Sequence, residues 1–529
     1  MTQATDPARP ADQAVPSLAR SATILSLGNV ASRVLGLVRE TVIADYFGAT
    51  GAVSAFRLAA RVPTMLYDLL VGGMLSAALV PVLSDYTRLD RREELWQAAS
   101  VALSFVAVIL AAVVLAVELL AEPLAYLLGT GLTPELQAVT AGSLRIVAPT
   151  VFIFGCAGFL TALLYALNRF TFPAFSAAVF NLGIVVAVPL LAGRLDIYSL
   201  SVGILGGSLA QLLIQLPGLR DAHLRLRWDL QHPALRRIGR LYLPVAVGLV
   251  VGQLQVIIDG NLATRTGEQS VAWMQNATTL RELPLGLVSV AISLAALPML
   301  SRFAGDADWE GYKRTLARTL RLVLVLTLPA AFGLFALAGP VVQLIFEHGE
   351  FTPFDTLWTS RALWGYIPGL IFAAVDWPLN YAYYARQNTR TPTLVGIAGV
   401  GVYLVVALTL LRPLGMIGLV LADSAKHTFH AVAMLALLRR DIGNLGRQRV
   451  VSTALKSLVA AAVMGGVIWR ALPPLNRWLG TGTFWHELLL VSVAGGLGAV
   501  VYAGLLALLR VDELWLVRDL VARRRGASP

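Results

Sequence analysis

Sulfur and charge are both scarce in this chain. Cys156 is the one cysteine among 529 residues, which excludes an internal disulfide and any cysteine-based metal site. Charged residues make up 14% of the sequence, where a soluble protein carries roughly a quarter. The six histidines show no H-E-x-x-H or related metal spacing. No G-x-x-x-x-G-K-[ST] loop is present, so any pumping is secondary rather than driven by ATP. No enzyme signature survives, and neither a metal nor a cofactor is expected. Residues 1–20 contain no apolar run and read as a disordered cytoplasmic tail. They do not form a cleavable signal peptide, because the first apolar stretch runs past any plausible h-region.

What the chain has in abundance is apolar surface. It is 57% hydrophobic with a mean hydropathy of +0.71, and apolar runs of about 18 residues or more recur along its length. This predicts an all-α polytopic membrane protein. Fourteen spans are expected, at 21–46, 62–85, 98–128, 142–167, 173–193, 197–219, 238–264, 272–301, 316–338, 358–385, 393–411, 415–438, 452–471 and 485–510.

The chain also repeats itself. Ser76-Ala-Ala-Leu-Val-Pro81-Val-Leu-Ser84 returns as Ser293-Leu-Ala-Ala-Leu-Pro298-Met-Leu-Ser301, and Ala121-Glu-Pro123 returns as Ala338-Gly-Pro340. Both prolines give one offset (298 − 81 = 217 and 340 − 123 = 217). Farther on, Pro149 matches Pro368 and Pro173 matches Pro392, each 219 apart. Spans 1–6 thus match spans 7–12, as in transporters built from two parallel lobes. The expected division is a tail at 1–20, an N-lobe at 21–220, a C-lobe at 221–440, and spans 13 and 14 with a cytoplasmic tail at 441–529.

The net charge of +11 does not point to nucleic acid. Basic residues gather in the even-numbered connections: Arg88, Arg91 and Arg92, then Arg220, Arg225, Arg227, Arg236, Arg237 and Arg240, then Lys313, Arg314 and Arg318, then Arg439, Arg440, Arg447 and Arg449. Odd-numbered connections hold isolated Arg194, Arg412 and Arg477. This is the positive-inside pattern, and it puts both termini in the cytoplasm.

Charges inside the spans are the candidate functional residues. Arg33 falls about 18 Å into the first span at ~1.5 Å per residue. A charge there costs at least about 2.5–3.5 kcal/mol unless it faces water or a partner. Arg33 and Arg39 read as a cationic site for an anionic substrate, or as an internal ion pair of Arg33 with Glu40 and a snorkelling Arg39. Arg57 and Arg61, one turn apart at the mouth of the second span, read as substrate contacts or as interfacial anchors. Asp68 reads as a coupling or gating residue, or as a partner for one of these arginines. Asp259 corresponds to Glu40 (259 − 40 = 219), so the two acids form either a coupling pair or two local neutralisers. Arg281 is a further anion contact or a partner of Glu282. Asp376 and Asn380 share a helical face and read as a coupling-cation site, or as a structural pair beside Pro378. Asp423, Lys426, His427 and His430 read as self-neutralising. Gly72-Gly73 and Gly206-Gly207 read as close helix packing.

Ser32-Arg33-Val-Leu-Gly-Leu-Val-Arg39-Glu40, with Phe47-Gly48-Ala49 and Phe56, resembles the first helix of the MurJ (MviN) family of bacterial lipid II flippases. Ser270-Val-Ala-Trp273-Met274 through Glu282-Leu-Pro284, then Leu297-Pro298-Met-Leu-Ser301, is similar to that family's eighth helix. Phe351-Thr-Pro-Phe-Asp355, Ala385-Arg386-Gln387 and Thr391-Pro392 also fit, so the resemblance runs from about residue 21 to 510. It implies the multidrug/oligosaccharidyl-lipid/polysaccharide exporter fold, with a cationic cavity opening alternately inward and outward. The implied cargo is lipid II or a similar polyprenyl diphosphate glycolipid in a lipid bilayer. Contact with the peptidoglycan synthesis machinery is a further implied partner. Coupling to membrane potential, Na+ or H+ is implied in place of a cofactor. Spans 13 and 14 border a groove for the lipid tail by the same analogy.

Carried over by position, Arg33, Arg39 and Glu40 match residues of the family's pattern. Elsewhere the chain departs from it. Ser54 stands where the family has an acid, Tyr67-Asp68 where it has an arginine pair, and Thr278-Thr279 where it has Asp-Arg. Arg57, Arg61 and Arg281 are positioned to compensate. A flippase for another lipid-linked oligosaccharide, such as an O-antigen-like unit, and a non-transporting envelope scaffold stay open as alternatives. So does a cation-coupled small-molecule exporter, which spans 13 and 14 count against.

Overall fold

A computed structural model describes residues 10–69, 78–87, 92–229, 231–445, 448–479 and 483–513. Gly72-Gly73, Arg88, Arg91 and Arg447 lie outside the described residues, as do 1–9 of the expected tail.

The described residues form nineteen α-helices. In chain order these are α1 (Pro10–Phe47), α2 (Gly51–Tyr67), α3 (Val80–Ser84), α4 (Arg92–Leu119), α5 (Ala121–Leu128), α6 (Pro134–Val147), α7 (Pro149–Ala166), α8 (Thr171–Leu195), α9 (Tyr198–Leu213) and α10 (Pro233–Thr264). They continue as α11 (Ser270–Pro284), α12 (Ala291–Gly305), α13 (Trp309–Ala336), α14 (Ala338–Phe346), α15 (Pro353–Ala385), α16 (Arg390–Leu414), α17 (Met416–Ile442), α18 (Val450–Leu479) and α19 (Phe484–Leu508).

Ten helical stretches are long and apolar enough to cross a bilayer. Of the remaining expected spans, 21–46, 238–264 and 415–438 lie within α1, α10 and α17, whose interiors carry the polar residues singled out above. The span at 62–85 is described only in part. Apolar side chains face outward along these helices: Leu190 is 73% exposed and Leu508 77%. Such surface would aggregate in water but matches hydrocarbon, so this is an all-α polytopic membrane protein.

The repeat is written in the backbone. α13 begins and ends 217 residues after α4 (309 − 92 = 217 and 336 − 119 = 217). Left-handed Asn168 (φ 58°) recurs at Gln387 (φ 57°), and Asp196 (φ 47°) at Gly415 (φ 56°), both 219 residues on. π-helical turns begin at Asp68 and again at Leu285, 217 apart. Some expected single helices are divided. The span 142–167 breaks at Ala148 into α6 and α7, because Pro149 has no N–H to offer α6. Its counterpart α15 runs unbroken through Pro368. The span 272–301 is α11 and α12 joined by the π-helical turn Leu285–Val290, which follows Pro284.

The chain folds as two compact units, residues 1–268 and 269–529. The first unit has a core built where α4 and α7 meet, around Leu95, Val106, Phe159 and Leu163. α8 and α9 approach backbone to backbone. A Cβ on Gly183 would stand 2.3 Å from the Gly203 carbonyl oxygen, and one on Gly207 2.3 Å from the Phe180 carbonyl oxygen. Gly206, expected to pack likewise, faces open space. α10, the repeat counterpart of α1, belongs to this first unit. The turn after α5 holds it there: the Asn261 side-chain amide donates to the Leu127 carbonyl at 2.6 Å, and Gly131 N–H donates to Thr264 Oγ1 at 3.2 Å.

Where the chain leaves the spans, Arg169 closes the 216–221 turn. Its Nη2 donates to Asp221 Oδ2 at 2.8 Å and its Nη1 to the Gly218 carbonyl at 2.6 Å. The Arg169 hydrogen bond holds the Asp221 carboxyl below its ordinary range.

In the second unit Thr352 and Asp355 form a reciprocal cap that starts α15. Asp355 also accepts from Trp273 Nε1 at 2.8 Å, joining the starts of α11 and α15. α18 and α19 dock onto α13, with Tyr502 Oη donating to the Val325 carbonyl at 2.8 Å above a core of Leu328, Met464 and Ile468.

Candidate functional site

Among the described residues, each unit holds a cluster of intramembrane charge. In the first, α1 carries Arg33, Arg39 and Glu40, and α2 carries Arg57 and Arg61. Glu40 is 3% exposed and accepts from two arginines: Arg39 Nη2 at 2.6 Å and Arg57 Nη2 at 2.8 Å. Arg39 Nη1 donates to Asn181 Oδ1 on α8 at 3.0 Å, and the Asn181 amide donates to the Ser32 carbonyl at 3.1 Å. Arg57 is buried, not an interfacial anchor, and Glu40 ties α1 to α2.

Arg33 is half-buried on α1. Arg61 is also half-buried, and its guanidinium lies against the α10 backbone, where a Cβ on Gly260 would stand 3.1 Å from Nη1. The neighbouring Asp259 is half-buried and Asp68 is exposed at the end of α2. Arg33, Arg39, Arg57 and Arg61 set four positive charges against the carboxylates of Glu40, Asp68 and Asp259, a balance of +1 (4 − 3 = 1). Such an excess suits a polyanion that can reach it.

In the second unit Arg281 on α11 is 8% exposed, and it is bound from three sides. It pairs with Asp423 of α17, donates to Glu282 Oε1 at 3.1 Å, and lies over the Tyr366 ring at 4.7 Å. Both sequence readings of Arg281 gain a third member here, since Asp423 was expected to be neutralised within its own helix. It does meet Lys426 Nζ at 3.4 Å on that helix. Asp376 on α15 is reached by α17 as well: His430 Nδ1 lies 2.9 Å from Oδ1 and His427 Nδ1 3.7 Å from Oδ2. Asn380 does not join that carboxylate; its amide donates to the Asp376 main-chain carbonyl at 2.8 Å. The two histidines were missed as partners of Asp376 because 54 residues separate His430 from it, and no local spacing signals such a contact.

Among the described residues no group of three or more His, Cys, Asp or Glu is arranged to hold a metal ion.

Comparison with known proteins agrees with this architecture. The family model for lipid II flippase MurJ matches residues 43–489. A probable lipid II flippase MurJ of Vibrio cholerae is 31% identical over 521 residues, covering 93% of this chain and 96% of that one. The lipid II flippase MurJ of Burkholderia cenocepacia is 31% identical over 395 residues, 72% of this chain and 76% of its own. A solved lipid II flippase MurJ in an inward closed conformation superposes with a TM-score of 0.78 at 24% identity, over 94% of this chain and all of that one. An inward-facing multidrug resistance MATE transporter of the MOP superfamily superposes with a TM-score of 0.68 at 13% identity, over 79% of this chain and 95% of its own. The last two establish the fold; the sequence matches establish more, and the chain belongs to the lipid II flippase MurJ family.

Proposed function

We propose that this protein flips lipid II, a polyprenyl diphosphate carrying the peptidoglycan disaccharide-pentapeptide, from the inner to the outer leaflet of the bacterial cytoplasmic membrane by alternating access. Its role is to supply cell-wall synthesis. The observation that carries this reading is the family match over residues 43–489, supported by 31% identity to the Vibrio cholerae relative across almost the whole of both chains. The chemistry of the first cluster agrees. A diphosphate is a compact polyanion, and arginines bind it through charge-assisted bidentate hydrogen bonds. Both termini are cytoplasmic on this reading, in line with the basic even-numbered connections. The driving force is an ion gradient or the membrane potential, and the peptidoglycan synthesis machinery is the consumer of the product.

Complementation tests the cargo. The chain is expressed in a bacterium whose own lipid II flippase can be shut off. The expected result is rescue of growth by the wild type and loss of rescue with Arg33→Ala at equal membrane levels. Failure of the wild type, with the protein present in the membrane, overturns the lipid II reading and favours another lipid-linked glycan, in keeping with the departures at Tyr67-Asp68 and Thr278-Thr279.

A further inference from the structure

The second unit contains a histidine whose two ring nitrogens both face carboxylates. His427 Nδ1 lies 3.7 Å from Asp376 Oδ2 on α15, and its Nε2 lies 3.8 Å from Asp423 Oδ1 on its own helix. A neutral imidazole has one N–H and one lone pair, so in this position it would turn a lone pair toward an anion. Only the imidazolium, a donor at both nitrogens, satisfies both neighbours. Histidine is also the side chain that gains and loses a proton in the physiological range. At 24% exposure, the ring is not fully buried.

The surrounding charges connect this ring to Arg281. Asp423 sits between the two, paired with the Arg281 guanidinium on one side and facing His427 on the other, with Lys426 Nζ at 3.4 Å. Beyond Arg281 lies Glu282, 52% exposed, and Tyr366 lies under the guanidinium. Asp376 is shared by His427 and His430. α16 also packs against α17, and meets this region with Gly396 beside the His430 ring and Gly399 beside the Lys426 side chain.

We propose that His427 is a proton-binding coupling site, and that the proton it takes from water governs whether Arg281 is available to an anionic cargo. Protonated His427 draws Asp423 and Asp376 toward one another. The 3.7 and 3.8 Å gaps then close to hydrogen-bond length. Asp423 thereby gains a third cation beside Arg281 and Lys426, and its hold on Arg281 weakens. Arg281 is left to meet a diphosphate. Linkage makes the effect reciprocal: cargo on Arg281 releases Asp423 toward His427 and strengthens proton binding. This step rests on the flippase reading for its cargo; the proton site itself does not.

Two measurements test it. In nanodiscs, the melting temperatures of wild type, His427→Gln and His430→Gln are compared between about pH 5 and pH 8. An imidazolium held by two carboxylates stabilises the fold at low pH, and its contribution fades as pH rises. The gap between wild type and His427→Gln is therefore expected to widen toward acid; a gap that does not change with pH overturns the proposal. In liposomes, flipping of fluorescent lipid II is followed with and without a pH gradient at zero potential. A several-fold stimulation in the wild type, lost in both His427→Gln and the permanently charged His427→Arg, is expected. A gradient response that persists in His427→Gln, or its absence in an active wild type, overturns the coupling. If the wild type flips no lipid II at all, the flippase reading fails, and the melting profiles still decide whether His427 binds the proton.

Discussion

Glu40 and Arg57 form a buried ion pair across two helices, with Arg57 Nη2 2.8 Å from Glu40 Oε2 and both side chains less than a tenth exposed. This pair sets how much of the arginine cluster is structural. Glu40→Gln removes the carboxylate that both Arg39 and Arg57 donate to, and a clear loss of stability is expected. Unfolding in nanodiscs reads it. Glu40→Leu combined with Arg57→Met replaces the pair by apolar volume and is expected to regain most of that loss, while Arg39 keeps Asn181 as a partner.

Arg281 and Asp423, 142 residues apart, are expected to act as a unit. Arg281→Gln leaves Asp423 with Lys426 and Asp423→Asn leaves Arg281 with Glu282, each losing its main partner, so the double variant costs less than the two single changes added together. The coupling in a double-mutant cycle is expected at about 0.5–3 kcal/mol. Strict additivity would mean that the pair contributes nothing.

Asp221 gives a pH dependence outside the bilayer. Its carboxyl is held low by the Arg169 hydrogen bond, so the folded state favours the ionised form. The stabilisation is present above the unfolded carboxyl pKa and is lost as pH falls through the lower folded value. Asp221→Asn is therefore expected to lower the melting temperature at neutral pH and to match the wild type in strong acid. Both partners are more than a third exposed, so the difference is small and shrinks in high salt.

The α8–α9 contact predicts opposite outcomes at adjacent glycines. Gly207→Ala drives a methyl group to 2.3 Å from the Phe180 carbonyl oxygen, and the clash is with backbone, which cannot rotate away. Gly206→Ala meets nothing within 4 Å. Detergent-extracted, monodisperse protein is expected to fall sharply for the first and stay unchanged for the second.

Membrane class, the helical architecture, the 217–219-residue repeat and the family are all legible in the chain itself. Each is a property of order along the sequence: runs of apolar residues, proline spacing, and short strings such as Ser32 to Glu40. The helix breaks at Ala148 and Pro284 were less legible, since Pro149 divides a helix while Pro368, its repeat partner, does not. Whether a proline interrupts a helix depends on what can satisfy the freed carbonyls, and neighbouring helices supply that. The charged residues show the same limit. Sequence alone identified Arg33, Arg39, Glu40, Arg57, Asp376 and Arg281 as charges that need an explanation, because a charge in hydrocarbon is costly wherever it sits. It left their partners open. Glu40 with Arg57 is joined by the packing of consecutive helices, Arg281 with Asp423 and Asp376 with His430 by helices distant in the chain, and ion pairing acts over a few ångströms of space, whatever the separation in sequence.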